Sequence, residues 1–172
     1  MIFLKKTLIV ISILLSLSLC MGSLASCGDN KSSDKTGTSS SVAAKVDLED
    51  VYAKITDKVS FPTMYTMTDD YIESYFGLTS DKMEDKLFAS AEDALLADTI
   101  AIVKVAEGTS TKEIEKTFTT VNDQKKLELE SYNPEQYARV DKAVIKTVGE
   151  YVCYIISDDN DAVINVIESN LA

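Results

Sequence analysis

The feature that most constrains the fold is an almost unbroken apolar run, Thr99-Ile-Ala-Ile-Val-Lys-Val105. Most of its residues are β-branched or small and apolar, and β-branched side chains favour the extended backbone of a strand. A nearly continuous apolar run of this length is typical of a strand at the centre of a sheet. Gly108 follows closely and predicts that the strand has ended by that point. We therefore expect a sheet built around residues 99–105.

Two further segments, residues 143–148 and 151–157, are rich in apolar side chains and flank Gly149-Glu150. A two-residue link with glycine first suits a type II′ turn, so these segments predict a β-hairpin. A fourth strand is predicted around residues 86–90. Residues 60–67 are predicted to form a loop.

Helices are predicted between these strands from capping residues and apolar spacing. Asp47 and Thr68 are suited to begin helices, and Ser110 and Glu113 have the spacing of a capping box. Pro134 stands at the favoured first position of a short helix, and residues 162–171 place apolar side chains on one helical face. The order of elements indicates an α+β domain, with a small antiparallel sheet of about four strands and helices packed on one face.

The N-terminus has the pattern of an export signal. Lys5 and Lys6 precede an apolar stretch, and small residues stand before Cys27. Leu24-Ala25-Ser26-Cys27 is similar to the lipobox of bacterial lipoproteins. That similarity implies a diacylglycerol on the Cys27 sulfur and removal of residues 1–26 as a lipoprotein signal peptide.

Two other interpretations of this segment remain open. Residues 7–25 are apolar enough, and long enough, to stay as an uncleaved membrane anchor. The segment also fits a signal peptide that leaves no lipid. Cys20 is a poorer lipid site than Cys27, because bulky Leu19 stands where a small residue is needed. We expect anchoring through Cys27 at the extracytoplasmic face of the cell membrane.

Residues 27–45 comprise the lipidated cysteine and a segment rich in Ser, Thr and Lys, which predicts a flexible tether. Residues 46–172 are near the commonest size of one globular domain, about 100–150 residues. Of the three cysteines in the chain, Cys153 alone falls in this region. The domain is therefore expected to be stable without a disulfide.

The charge of the chain is strongly acidic. It is −11 overall, and it becomes −13 once Lys5 and Lys6 leave with the signal. Phosphate backbones require clusters of Lys and Arg, so we expect no nucleic-acid partner. The chain has no histidine, which excludes histidine-dependent triads and metal sites with histidine ligands. No cofactor and no catalytic residue is predicted.

Aromatic and methionine side chains are concentrated in and around the second predicted helix. Exposed side chains of these types suit contact with a sugar or a peptide. When buried, they form part of the core. The candidate binding surface consists of Phe61, Met64, Tyr65, Met67, Tyr71 and Tyr75.

An acidic run at residues 158–161 is a weak candidate for a metal site. Hard cations bind oxygen ligands, which Asp158, Asn160 and Asp161 would supply. Ala162 stands where an alternating ligand is needed, and no glycine follows. The pattern therefore favours the capped start of a helix.

Other reactive side chains are expected to have structural roles. Glu92, Asp93 and Asp98 are candidates for acid–base cleavage of a glycan, but a solvated face is the favoured interpretation. Cys153 has no histidine to activate it and is expected in the core. Lys104 is a candidate for contact with an anion, and its position near the end of a strand favours an extended side chain that reaches water.

Several segments together are similar to a family of small Gram-positive lipoproteins that is catalogued as a domain of unknown function. They are the signal with Cys27, Tyr75-Phe-Gly-Leu78, Ala97-Asp-Thr-Ile-Ala-Ile-Val-Lys104, Tyr132-Asn-Pro-Glu-Gln-Tyr137 and Gly149-Glu-Tyr-Val152. The resemblance implies a surface lipoprotein and brings no catalytic residues. We expect a membrane-anchored, non-catalytic binding or protein-interaction module. The alternative is a cell-envelope enzyme that uses carboxylates, for example on glycans.

Overall fold

The computed structural model describes residues 46–172, which form five helices and one antiparallel sheet. The helices are α1 (Leu48–Lys58), α2 (Asp69–Phe76), α3 (Thr111–Leu129), α4 (Pro134–Asp141) and α5 (Asn160–Leu171). The strands are β1 (Met64–Thr66), β2 (Met83–Ala91), β3 (Thr99–Val105), β4 (Val144–Val148) and β5 (Tyr151–Ile156). The predicted signal peptide, Cys27 and the tether lie outside the described residues.

The strands lie in the order β1-β2-β3-β5-β4, and every neighbouring pair is antiparallel. The predicted central strand is β3, whose Ile102 stands opposite Leu87 on one side and Cys153 on the other. The predicted hairpin is formed by β4 and β5, and Gly149 in its turn has a φ of 57°, which favours glycine. The α+β class with an antiparallel sheet is confirmed.

The sheet has five strands rather than about four. The additional strand is β1, which lies within residues 60–67, where a loop was expected. Its backbone is held by pairing with β2, with Tyr65 opposite Ser90. Three residues are too few to show an alternating pattern, so the strand depends on a partner that is distant in sequence. The predicted strand at 86–90 is the middle of β2.

Helices cover both faces of the sheet, which corrects the expectation of a single covered face. Phe88, Tyr154 and their neighbours form a core with α2, α3 and α4. Leu87, Cys153 and their neighbours form a second core with α1 and α5. Successive side chains of a strand point to opposite faces. The continuous apolar runs of β3 and β5 therefore present apolar groups on both faces of the sheet, and helices must pack on each face to bury them.

Asp47 and Ser110 cap their helices through their side chains as predicted, whereas Thr68 precedes α2 without a side-chain hydrogen bond to it. The Asp47 carboxylate accepts from the backbone N–H of Glu49 at 3.0 Å. The Ser110 hydroxyl accepts from the backbone N–H of Lys112 at 3.3 Å, and the Glu113 carboxylate binds Lys82 at 2.7 Å, so Ser110 is a simple N-cap and the predicted capping box does not form. Within residues 46–172, the helices are too short or too polar to cross a membrane.

Candidate functional site

A cleft of about 250 Å³ opens where β1, α2, the segment between β2 and β3, and the C-terminal half of α3 meet. Four tyrosines line it, and we call it the tyrosine cleft. They are Tyr65, Tyr71, Tyr75 and Tyr132. Lys125, Glu128 and Glu92 supply its charged groups.

The tyrosines of β1 and α2 form one connected group of rings. Tyr71 and Tyr75 are four residues apart on α2, and their rings stack with centroids 5.9 Å apart and planes at 11°. Tyr65 meets Tyr71 edge to face, with ring centroids 6.2 Å apart. Burial raises the pKa of Tyr65 and that of Tyr75 to about 12. Both phenols are therefore neutral near pH 7.

Exposed large apolar side chains are concentrated around this cleft. Tyr71, Tyr75, Leu95 and Tyr132 are between 38% and 67% exposed, and all four line it. Among residues 46–172 the other such side chain is Leu127, which lies elsewhere on the surface. Scattered exposed apolar residues are normal on a protein surface, whereas a contiguous group marks an interaction site.

Lys125 lies in the wall of the cleft and reaches the start of β3. Its Nζ donates to the carbonyl oxygen of Ala97 at 3.3 Å and to the hydroxyl of Thr99 at 3.2 Å. It makes no ion pair with any residue in the described part of the chain. Burial lowers the pKa of Lys125 to about 8, and the charges of Asp98 and Glu128 offset only part of that effect.

The helical spacing of α3 explains why a lysine occupies this position. Phe118, Val121 and Leu129 form its buried stripe. Lys125 stands four residues from both Val121 and Leu129, so it falls on the same stripe. The sequence analysis identified the apolar members of the stripe and missed the lysine. A charged residue within an apolar helical stripe is the signal that would have found it.

Helix α4 holds the segment to which Lys125 binds. The Gln136 side-chain oxygen accepts from the backbone N–H of Ala97 at 2.8 Å. Arg139 Nη1 lies 2.7 and 2.6 Å from the two carboxylate oxygens of Asp98. These contacts fix the backbone on both sides of the carbonyl group that Lys125 binds. Sequence analysis had not singled out Gln136 or Arg139.

The structure places four of the six residues of the predicted binding surface in the tyrosine cleft and the other two outside it. Tyr65, Met67, Tyr71 and Tyr75 all line the tyrosine cleft. Phe61 packs against the core formed with α1 and α5, on the opposite face of the sheet. Met64 is partly buried on β1 opposite Ala91 and does not line the cleft.

In the acidic run at residues 158–161, the side chains of Asp158, Asp159 and Asn160 make contacts within the protein. Asp158 pairs with Arg139, and the Asp159 side chain caps α5 by accepting from the backbone N–H of Ala162. Asn160 Oδ1 accepts from the backbone and hydroxyl of Ser157. In the described residues, no group of three or more Asp, Glu or Cys side chains is placed to hold a metal ion. A depression of about 440 Å³ lies here, and paired groups form much of its wall.

The three carboxylates considered for glycan cleavage do not share a cleft. Glu92 lines the tyrosine cleft, and Asp93 accepts from the backbone N–H of Leu95 at 2.9 Å. The expectation that Asp98 lies on a solvated face is wrong, because Asp98 is 1% exposed. Its burial is possible because the Arg139 guanidinium compensates its charge.

Cys153 has the structural role that was predicted for it, whereas Lys104 pairs with a carboxylate rather than simply reaching water. Cys153 is fully buried, and burial raises the pKa of its thiol to about 12. The Lys104 ammonium pairs with Glu84 at 2.6 Å, and this bond raises its pKa.

These features define a small α+β domain with an aromatic cleft and a partly buried lysine in its wall. Residues 57–157 match the family described as Domain of unknown function (DUF4358). Because the match spans more than half of the chain, the protein belongs to this family. All residues that line the tyrosine cleft fall within the matched segment. Searches of curated proteins and of solved structures found no match to the chain.

Proposed function

We propose that the protein is a non-catalytic binding module, held outside the cell by a lipid on Cys27, and that its ligand binds in the tyrosine cleft. The observation that carries the proposal is the concentration of exposed large apolar side chains around this one cleft. Tyrosine suits a binding surface because its rigid ring adds contact area and its hydroxyl adds a hydrogen bond.

The placement of the reactive side chains in residues 46–172 supports binding rather than catalysis, since Thr99, whose hydroxyl lies beside Lys125, is only 1% exposed. The chain has no histidine to act as a base. Cys153 is fully buried, and its raised pKa keeps the thiol protonated near neutral pH. Asp98 is neutralised by Arg139. A cleft that brings together rings, hydroxyl groups and one ammonium group is equipped to hold a ligand.

Anchoring by a lipid is supported by the sequence around Cys27 and by the charge. Leu24-Ala25-Ser26-Cys27 is similar to a lipobox, and residues 27–45 would separate the domain from the membrane. With a net charge of −13 after loss of Lys5 and Lys6, the protein is repelled by anionic lipid headgroups. The acyl chains would therefore supply the membrane affinity.

Photo-crosslinking in intact cells that produce the protein tests the binding role. A benzophenone amino acid replaces Tyr132, which is 67% exposed at the cleft, or Leu127, which is 72% exposed outside it. Adducts are identified by mass spectrometry of the intact protein. We expect a discrete adduct at position 132 that is lost when Tyr71→Ala is added, and no such adduct at position 127. The same adducts at both positions would contradict the proposal.

Mass spectrometry of the mature N-terminus tests the anchor. We expect a chain that begins at Cys27 and carries a diacylglyceryl group. A Cys27→Ala variant should leave the membrane fraction, whereas Cys20→Ala should remain in it. An unmodified Cys27 in the wild-type protein would disprove lipidation without affecting the test of the cleft.

A further inference from the structure

We propose that the tyrosine cleft binds a ligand that carries one carboxylate on an apolar body about the size of a single amino-acid residue, with the carboxylate on Lys125. This inference rests on the proposed function, because it assigns a ligand class to the same cleft. The apolar body would lie against Tyr71, Tyr75 and Leu95, which expose much of their surface there.

Lys125 lacks the partner that comparable lysines have. The other partly buried lysines of residues 46–172 each have a carboxylate at 2.5–3.1 Å. They are Lys82, Lys86, Lys104, Lys126 and Lys146. An ammonium group has three donors, and Lys125 directs two of them to the neutral oxygens of Ala97 and Thr99. An anionic ligand would supply the missing charge and the third acceptor.

The other charged groups near Lys125 favour a ligand with a single negative charge. Asp98 lies just before β3, and its charge is compensated by Arg139. Glu128 on α3 and Glu92 after β2 line the same cleft and are exposed. Tyr65 and Tyr75 are neutral, because burial raises the pKa of each to about 12. These two carboxylates would repel a multiply charged anion such as phosphate more strongly than a single carboxylate.

The volume of the cleft limits the size of the bound group. A volume of about 250 Å³ holds roughly eight water molecules at the density of the liquid, so it suits one residue-sized group. Leu95 and Tyr132 extend apolar surface to the rim, which favours an aromatic or aliphatic side chain next to the carboxylate. Both a free acid and the C-terminal residue of a peptide have this chemistry.

The test compares N-acetyl-L-phenylalanine with its carboxamide, which differs only in lacking the charge. Binding is followed by NMR of the protein labelled with ¹³C-tyrosine, near pH 6.5, where Lys125 is charged. We expect the acid to bind about 10- to 100-fold more tightly than the amide, as for a hydrogen bond to a charged group. Lys125→Met should abolish this preference. Lys126→Met is the matched control, since Lys126 pairs with Asp141.

A pH series tests the ammonium group directly. Affinity for the acid should fall as the pH rises above about 8 in the wild type, and it should persist in Lys125→Arg, whose guanidinium stays charged. A short peptide that ends in phenylalanine distinguishes a free acid from a peptide C-terminus as the ligand. Binding tighter than that of the acid assigns the ligand to a peptide C-terminus, whereas binding that is equal or weaker assigns it to a free acid.

Two outcomes would overturn the inference. Equal affinity for the acid and the amide would show that the cleft binds apolar groups without recognising the carboxylate. In that case the proposed function would stand. No change in any cleft tyrosine with either probe would reject this ligand class. The crosslinking experiment at positions 132 and 127 would still decide the proposed function separately.

Discussion

Arg139 binds both carboxylate oxygens of Asp98, at 2.7 and 2.6 Å, and so neutralises a carboxylate that is 1% exposed. The bond joins α4 to the residue that precedes β3, beside the tyrosine cleft. An Arg139→Met variant would leave this charge buried and unpaired. We expect its free energy of unfolding to fall by about 3–5 kcal/mol, measured by urea denaturation.

The control for this prediction is Lys146→Met. Lys146 pairs with Glu168 at 2.5 Å on the surface, and an exposed pair of this kind contributes about 0–1 kcal/mol. Replacing Asp98 by Asn in the Arg139→Met background should restore part of the loss, because the unpaired charge is removed. If Arg139→Met and Lys146→Met lowered the free energy of unfolding by similar amounts, the result would show that Arg139 does not compensate the buried charge of Asp98.

Lys125 is predicted to make stability depend on pH. Its pKa falls from 10.5 to about 8 on folding, so between these values the unfolded state binds more protons. The contribution of Lys125 to stability is therefore highest above pH 10.5 and is lost as the pH falls through about 8. Relative to Lys125→Met, the wild type should gain about 1–3 kcal/mol across this window in urea denaturation.

Lys126→Met provides a control of opposite sign. The hydrogen bond to Asp141 raises the pKa of Lys126, so its contribution is fully present below pH 10.5 and is lost as the pH rises from there through its folded pKa. The difference in stability between wild type and Lys126→Met should therefore stay constant across the window in which Lys125 titrates. A flat profile for Lys125→Met as well would contradict the lowered pKa of Lys125.

Cys153 is predicted to be inert in the folded protein. Burial excludes the reagent and raises the pKa of the thiol to about 12, so the thiolate that reacts with iodoacetamide is scarce. In a chain that begins at residue 27 with Cys27→Ser, we expect alkylation at pH 8 only when urea is added. Rapid alkylation without urea would show that the core around β5 opens readily.

Gln136 is predicted to stabilise the wall of the cleft. Its side-chain oxygen accepts from the buried N–H of Ala97, and Gln136→Leu removes that acceptor. We expect a loss of about 1–3 kcal/mol and faster hydrogen exchange at the Ala97 amide. The Ala91 amide, which donates to the backbone carbonyl of Asp98, is the internal reference. Equal acceleration at both amides would indicate general destabilisation instead.

Local patterns were enough to predict most of the elements. The β-branched run at β3, the glycine turn of the hairpin and the caps Asp47 and Ser110 each act within a few residues, and all appear in the structure. Strand β1 was missed because its three residues become a strand only through pairing with β2. The sequence analysis also missed that helices pack on both faces of the sheet, although the unbroken apolar runs of β3 and β5 indicated it.

The candidate site was predictable only in part. The tyrosines of α2 stood out as a cluster in the sequence, and the structure places Tyr71 and Tyr75 in one stack. Phe61 was assigned to the same surface because it is near in sequence, yet it packs on the other face of the sheet. Which members of an aromatic segment share a cleft depends on the path of the backbone.

The sequence by itself determined the helices, the hairpin, the central strand and the acidic charge, because capping, β propensity and net charge depend on residue type and near neighbours. The tertiary structure alone decided where the charges of the cleft lie. Lys125 donates to the carbonyl oxygen of Ala97, which is 28 residues away in sequence, and Arg139 binds Asp98, which is 41 residues away. Such contacts form only after the helices have packed on the sheet, since no local preference brings these residues together.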